Sequence, residues 1–196
     1  MIVVDVETTG VDPEKHSIVS IGALDFSNPA DQLYIECRVW GGATIDPQAL
    51  AVNGFTEAQV RDAGKISEQE AIEHFVNWLR NKLNHTIAGQ NPFFDLSFLL
   101  AAARRGKVQI SLARRIVDLH SLTYGHFLKR GMAVPVENSR TGLDSDTIMK
   151  YVGLPAAPKP HKALNGAIWE AEAFSRILYH KPLFEQFQQF PVPFND

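Results

Sequence analysis

The chain has 196 residues, 45% of them apolar and 21% charged, and a formal charge of -3. That size and balance predict one globular domain, 1–196, and argue against a disordered chain or broad contact with duplex DNA, which takes a basic face. One cysteine, Cys37, excludes an internal disulfide, and the longest wholly apolar stretch, residues 98–103, is too short to span a bilayer.

As it stands, the sequence opens without a basic-then-apolar leader, so a cytoplasmic protein with no membrane partner is the expectation. The first ten residues, Met1-Ile2-Val3-Val4-Asp5-Val6-Glu7-Thr8-Thr9-Gly10, read as a strand buried on both faces, because the apolar run does not alternate. Residues i and i+2 of a strand share a face, so Asp5 and Glu7 project together before the turn at Thr8-Thr9-Gly10. Two acids at a buried strand end repel unless a cation lies between them, and a hard divalent ion suits oxygen ligands. Two solvated acids at a sheet edge fit the same spacing.

Strands are predicted over 18–24 and 33–40, with short turns that make an antiparallel meander. Asp46-Pro47 begins a short helix to about Val52, Asn53-Gly54 stops it, and Thr56 can cap another. Ser67-Glu68-Gln69-Glu70 is a capping box before a helix with the apolar stripe Ile72, Phe75, Val76, Leu79 and Leu83. Residues 87–89 read as a short buried strand and 94–105 as a helix. A strand end at 116–119 precedes a helix to about Lys129. Residues 131–140 read as loop, and 144–152 as a short helix. A proline-stiffened connector then leads to a long helix from about 162 to 179. Pro182 begins a last short helix, and the Pro-Val-Pro tail reads as loose. Three leading antiparallel strands, then strands alternating with helices, predict an α/β fold: a mixed sheet of about five strands flanked by helices.

Two later stretches carry chemistry. In Ala88-Gly89-Gln90-Asn91-Pro92-Phe93-Phe94-Asp95, Asp95 falls in the first turn of a helix, where an acid is also simply favourable. In Pro160-His161-Lys162-Ala163-Leu164-Asn165-Gly166-Ala167-Ile168-Trp169-Glu170-Ala171-Glu172, His161 stands at the mouth of a helix, a position that structural histidines also take.

Together the three stretches resemble the DEDD-type 3′–5′ exonucleases with a histidine general base, a DnaQ-like branch of the ribonuclease H-like fold. Asp5-Val6-Glu7-Thr8-Thr9-Gly10 has the form of the first motif. Asn91, Phe94-Asp95 and Phe98-Leu99 match the second. His161, Ala163, Leu164, Ala167 and Ala171 match the third. One position departs: the family's aspartate five residues after the histidine is Gly166 here. At about 100° per residue, Glu170 lies within roughly 40° of the Gly166 direction, one turn along, whereas Glu172 points about 240° away. The helix's predicted core stripe is Leu164, Ala167, Ile168, Ala171, Ser175 and Leu178, with Glu170 at its margin. Asp118, Asp144 and Asp146 are further acids to weigh, and Asp118 also reads as a helix cap.

The resemblance implies two Mg²⁺ or Mn²⁺ ions held by Asp5, Glu7 and Asp95, and Glu170 is the geometric candidate for the place of the missing aspartate. It implies His161 as the base, and Thr8, Thr9 and Gly10 as the lining for the terminal nucleotide, while Asn91, Phe94 and Lys162 are further candidates for substrate contact. Lys159 could steer phosphate, Phe93 could stack on a base, and Arg104, Arg105, Lys107, Arg114 and Arg115 form a basic cluster that serves a strand or is merely a solvated rim. The implied partner is a single-stranded nucleic acid, DNA or RNA, with a free 3′ end, and a homodimer is compatible with it. The rival expectation, raised by Gly166, is a catalytically impaired exonuclease fold that binds nucleic acid or protein.

Overall fold

The computed structural model describes residues 1–112 and 115–194. Its centre is a five-stranded sheet made of β1 (Ile2–Thr8), β2 (Ile18–Asp25), β3 (Asn28–Glu36), β4 (Ile87–Gly89) and β5 (Val117–Asp118), in the order β3-β2-β1-β4-β5. The first three pair antiparallel, and β4 and β5 join parallel to β1. This is the mixed sheet the sequence predicts, with β1 at the point where antiparallel pairing gives way to parallel.

Helices α1 (Pro47–Asn53), α2 (Glu57–Val60), α3 (Glu68–Leu79), α4 (Pro92–Gly106), α5 (Leu119–Lys129), α6 (Ser145–Tyr151) and α7 (Ala163–Tyr179) surround the sheet, followed by a 3-10 turn at Glu185–Phe187. Several starts are written in side chains that accept orphan backbone N–H groups. Asp46 caps α1, Asp118 caps α5 and Asp144 caps α6, while Thr56 with Gln59 and Ser67 with Glu70 form capping boxes for α2 and α3.

Alternation along β1 sorts the two layers. Ile2, Val4 and Val6 pack with α3 and α4, against Ile72, Phe75, Phe98 and Leu99. Val3 packs on the other face with Leu119, Ala167, Ala171 and Phe174. Asp5 and Glu7 share the parity of Val3 and therefore lie on the α7 side. That helix comes down hard on the sheet: a Cβ at Gly22 of β2 would overlap the backbone of Ala163 and Leu164. Only a glycine admits so close an approach, and it brings the first turns of α7 beside Asp5.

Several elements differ from the sequence reading. The third strand covers residues 28–36 rather than 33–40. The tight turn after β2 starts it early, and its mostly alternating burial is that of an edge strand. Helix α3 stops at Leu79, so Leu83 leaves the stripe and is fully exposed. The predicted loop at 131–140 contains a small hairpin, β6 (Val136–Glu137) and β7 (Arg140–Thr141), turned by Asn138 and Ser139 at positive φ. The tail is tied down: Phe194 is buried, and the Arg176 guanidinium donates to the carbonyls of Phe187, Phe190 and Pro191. This tail covers the far side of α7, which buries Glu172 and Arg176 and leaves Leu178 exposed, against the predicted stripe. No helix among the described residues is long and apolar enough to cross a membrane.

Candidate active site

Four acids meet at the carboxyl end of β1. Glu7, Asp95 and Glu170 are buried and Asp5 is half-buried. Asp95 sits in the first turn of α4, and its Oδ1 accepts the backbone N–H of Val6 at 2.9 Å. That bond ties α4 to the strand between Asp5 and Glu7. Glu170 reaches the sheet from α7: a Cβ at Gly89 of β4 would stand 3.0 Å from Glu170 Oε2 and 3.1 Å from the carbonyl oxygen of Val4. Glu170 thus points from α7 toward the sheet, one turn beyond Gly166.

Electrostatics bind these four into one site. Burial, then the charges of Asp95 and Glu7, hold the Asp5 carboxyl well above the usual range. Burial pushes Glu7 up to about 7 and Asp95 up to about 7. Burial, then Asp5 and Asp95, raises Glu170 strongly, with the backbone N–H of Gln90 pulling the other way. Among the described residues none of the four pairs with a Lys or Arg. Glu170 Oε2 is buried with no hydrogen-bond partner. A buried carboxylate oxygen without a donor is costly, and a cation is the natural remedy. As the side chains stand, no three of the described His, Cys, Asp and Glu groups converge closely enough to hold an ion. Like charges in a poorly solvated site hold one another apart. The donor set fits a hard divalent cation in kind, all oxygen and uncompensated.

His161 is exposed at the mouth of α7, lining a small cleft with Asp5, Ala157, Pro158, Lys162, Asn165 and Gly166. A Cβ at Gly166 would overlap Asp5 Oδ2, so the Asp5 carboxylate leans into the space where the family aspartate would begin. Asn91 is exposed in a left-handed conformation, Lys162 is exposed, and Phe94 is half-buried against Phe98, with ring centroids 4.9 Å apart. Phe93 is 68% exposed and free to meet a ligand.

Other expected lining residues are already engaged. Thr9 is fully buried, donating to the carbonyl of Thr44 at 2.7 Å and accepting the N–H of Ser17 at 3.0 Å, so it holds the turn rather than lining it. Thr8 donates to the Gly10 carbonyl at 2.6 Å. Gly10 is covered by the His16 ring, so what approaches its backbone is the protein itself. Among the described members of the basic cluster, Arg105 is held in a largely buried pair and the rest lie at the exposed surface. Arg105 pairs with buried Glu68 at 2.8 Å, Arg104 pairs with Glu14, and Lys107 ends α4. Arg115 and Lys159 are exposed, and Arg114 lies outside the described residues. Asp118 and Asp144 spend their carboxylates as helix caps, and Asp146 is an exposed acid in the first turn of α6. The sequence reading missed Asn53, buried with its Nδ2 donating to the Thr8 carbonyl at 3.0 Å. The Asn53-Gly54 pair read only as a helix stop.

A family model described as Exonuclease matches residues 2–174. The chain belongs to the exonuclease family. Among curated relatives of this exonuclease chain, ribonuclease T of Vibrio campbellii (strain ATCC BAA-1116) is 29% identical over 121 residues, which is 55% of the chain and 56% of that protein. Ribonuclease T of Escherichia coli (strain K12) is 28% identical over 121 residues, again 55% and 56%. The chain spans about half the length of the curated relatives it matches. Solved structures show the ribonuclease H-like exonuclease fold. Cell-death related nuclease 4 superposes with a TM-score of 0.71 at 14% identity, covering 99% of this chain and 71% of that one. The nuclease domain of 3'hExo, a DEDDh family member crystallised with rAMP, gives 0.68 at 16% identity, covering 100% and 96%. E. coli exonuclease I in complex with an oligonucleotide gives 0.70 at 16% identity, covering 92% and 40%.

Proposed function

We propose that the chain is a 3′–5′ exonuclease that removes nucleoside 5′-monophosphates from the 3′ end of single-stranded DNA or RNA. The observation that carries this is the buried Glu170 carboxylate beside Asp5 and Asp95, its Oε2 without a hydrogen-bond partner among the described residues, which would supply the acid that Gly166 lacks. The oligonucleotide bound to exonuclease I and the nucleotide bound to 3'hExo support a nucleic-acid substrate.

Asp5, Glu7, Asp95 and Glu170 would hold two divalent cations, Mg²⁺ or Mn²⁺. Those ions supply polarisation of the phosphoryl group and a counter-charge for the attacking and leaving oxygens. Bound there, the cations would offset the burial that chiefly raises these four carboxyls, and the neighbouring acid charge that adds to it for Asp5, Asp95 and Glu170.

The proton work falls to His161. Its imidazole, at the open edge of the cleft, accepts a proton from the water whose oxygen attacks the terminal phosphorus. The P–O3′ bond breaks, the departing 3′ oxygen takes a proton from solvent water at the open cleft, His161 returns its own proton to solvent, and the products are a 5′-monophosphate and a strand one nucleotide shorter. Asn91, Phe93, Phe94 and Lys162 offer the exposed polar, aromatic and cationic surface for the last nucleotide. Thr9 and Gly10 support the strand end from beneath.

The test is incubation of 5′-labelled single strands, DNA and RNA, with Mn²⁺. A ladder shortening from the 3′ end is expected, and its absence with both polymers overturns the proposal. The rival reading, a binding module without activity, is favoured by Gly166 alone. It predicts strand binding that survives EDTA and no ladder.

A further inference from the structure

The His161 side chain has no hydrogen-bond partner among the described residues, in contrast with bases that a third side chain orients. Its place is set through the backbone instead. The N–H of His161 donates to the carbonyl of Val52 at 3.2 Å, at the end of α1. Next to that bond, Pro160 packs on Gly54: a Cβ at Gly54, whose φ is +75°, would stand 2.5 Å from Pro160 Cβ. The segment carrying His161 is therefore docked on Val52 and Gly54, on either side of Asn53.

Asn53 lies between those two contacts and points the other way. It is buried, its Nδ2 donates to the carbonyl of Thr8 at 3.0 Å, and its Oδ1 accepts the N–H of Phe55 at 3.2 Å. Thr8 follows Glu7 at the end of β1. A single side chain thus registers the α1 terminus, and with it the His161 backbone, against the strand that carries Asp5 and Glu7.

We propose that Asn53 is a positioning residue for His161. It sets the distance between the base and the acids by clamping the α1 terminus to the end of β1. The inference rests on His161 being the base. An amide suits the task, since its nitrogen must donate to Thr8 while its oxygen accepts from Phe55. An aspartate would offer no donor to the Thr8 carbonyl.

The test is a double-mutant cycle on the intact chain with Asn53→Ala and His161→Ala, read as kcat and KM on a 5′-labelled strand at saturating Mn²⁺. Asn53→Ala is expected to lower kcat about 10- to 100-fold with KM nearly unchanged, the scale of a small misplacement of a reacting group. Added to His161→Ala, it is expected to cost nothing more, because a base that is gone cannot be mispositioned. Losses that multiply overturn the inference while leaving His161 as the base. A His161→Ala protein as fast as the parent overturns the base assignment itself, and this inference with it. A change in the Mn²⁺-induced rise in Tm of Asn53→Ala also overturns it, since the effect then runs through Glu7. Should Asn53→Ala fail to fold, Gly54→Ala reads the same cycle from the Pro160 side and must show the same non-additivity.

Discussion

The Asp5 carboxylate occupies the space into which a side chain at Gly166 would grow. The two positions are therefore exclusive as the chain stands: an acid at 166 has to displace Asp5, and the acid at 170 reaches the sheet without doing so. Glu170→Ala is expected to abolish the Mn²⁺-induced rise in Tm and to slow cleavage by more than about 100-fold, since even a partner one shell out from a metal costs 10- to 100-fold. The double variant Gly166→Asp/Glu170→Ala is expected to recover neither, because a side chain at 166 has to displace Asp5. Thermal unfolding with and without Mn²⁺, beside the labelled-strand assay, checks this. Full activity in Glu170→Ala would remove it from the site.

Glu172, two residues on, has a different task. Its Oε1 receives the Arg176 Nε at 2.7 Å, and its Oε2 receives the N–H groups of Leu183 and Phe184 at 2.8 and 3.1 Å. Both side chains are fully buried. Arg176→Leu leaves an uncompensated buried carboxylate and is expected to cost about 3–5 kcal/mol. Urea unfolding would measure it. The Mn²⁺ concentration at half-maximal cleavage should stay at the parent's value under folding conditions, because the pair faces the tail and not the site.

That pair shows where sequence reasoning stops. The angular logic separates Glu170 from Glu172 on α7, and in the structure Glu170 reaches the sheet while Glu172 faces the tail. What periodicity does not carry is that residues 183–194 return to cover the outer face, so a position away from the sheet is still buried. Nor does local spacing reveal the partners of Arg104 and Arg105, Glu14 and Glu68, which are 90 and 37 residues distant. The 136–141 hairpin escaped because Asn138-Ser139 makes its turn without a glycine. The central strand and the Ser67 capping box were legible because each rests on local spacing, whereas Asp95 and Glu170 were singled out through the family resemblance and the departure at Gly166.

His161 should separate from the acids in experiment. Its side chain touches solvent and not the carboxylate oxygens that would hold cations. His161→Ala is expected to slow cleavage about 100- to 10,000-fold, the range for losing a general base. The Mn²⁺-induced Tm shift should not change. A lost Tm shift would show His161 acting on cation binding rather than on the proton.

The acid cluster also gives the protein a pH signature when cations are withheld. Glu7 and Asp95 titrate near 7 in the fold, against about 4 in an unfolded chain. For acids with a raised pKa, the folded state is favoured below the unfolded value, and that advantage is lost as pH rises through the folded value. In EDTA, Tm is therefore expected to fall between about pH 4 and pH 8. Added Mn²⁺ or Mg²⁺ should reverse this, raising Tm more at the alkaline end, where the carboxylates are ionised and free to bind. Asp95→Asn keeps an acceptor for the Val6 N–H and removes one charge, so its EDTA profile should be flatter than the parent's. A parent profile that is flat in EDTA, with no cation response at alkaline pH, would separate these four residues from metal binding altogether.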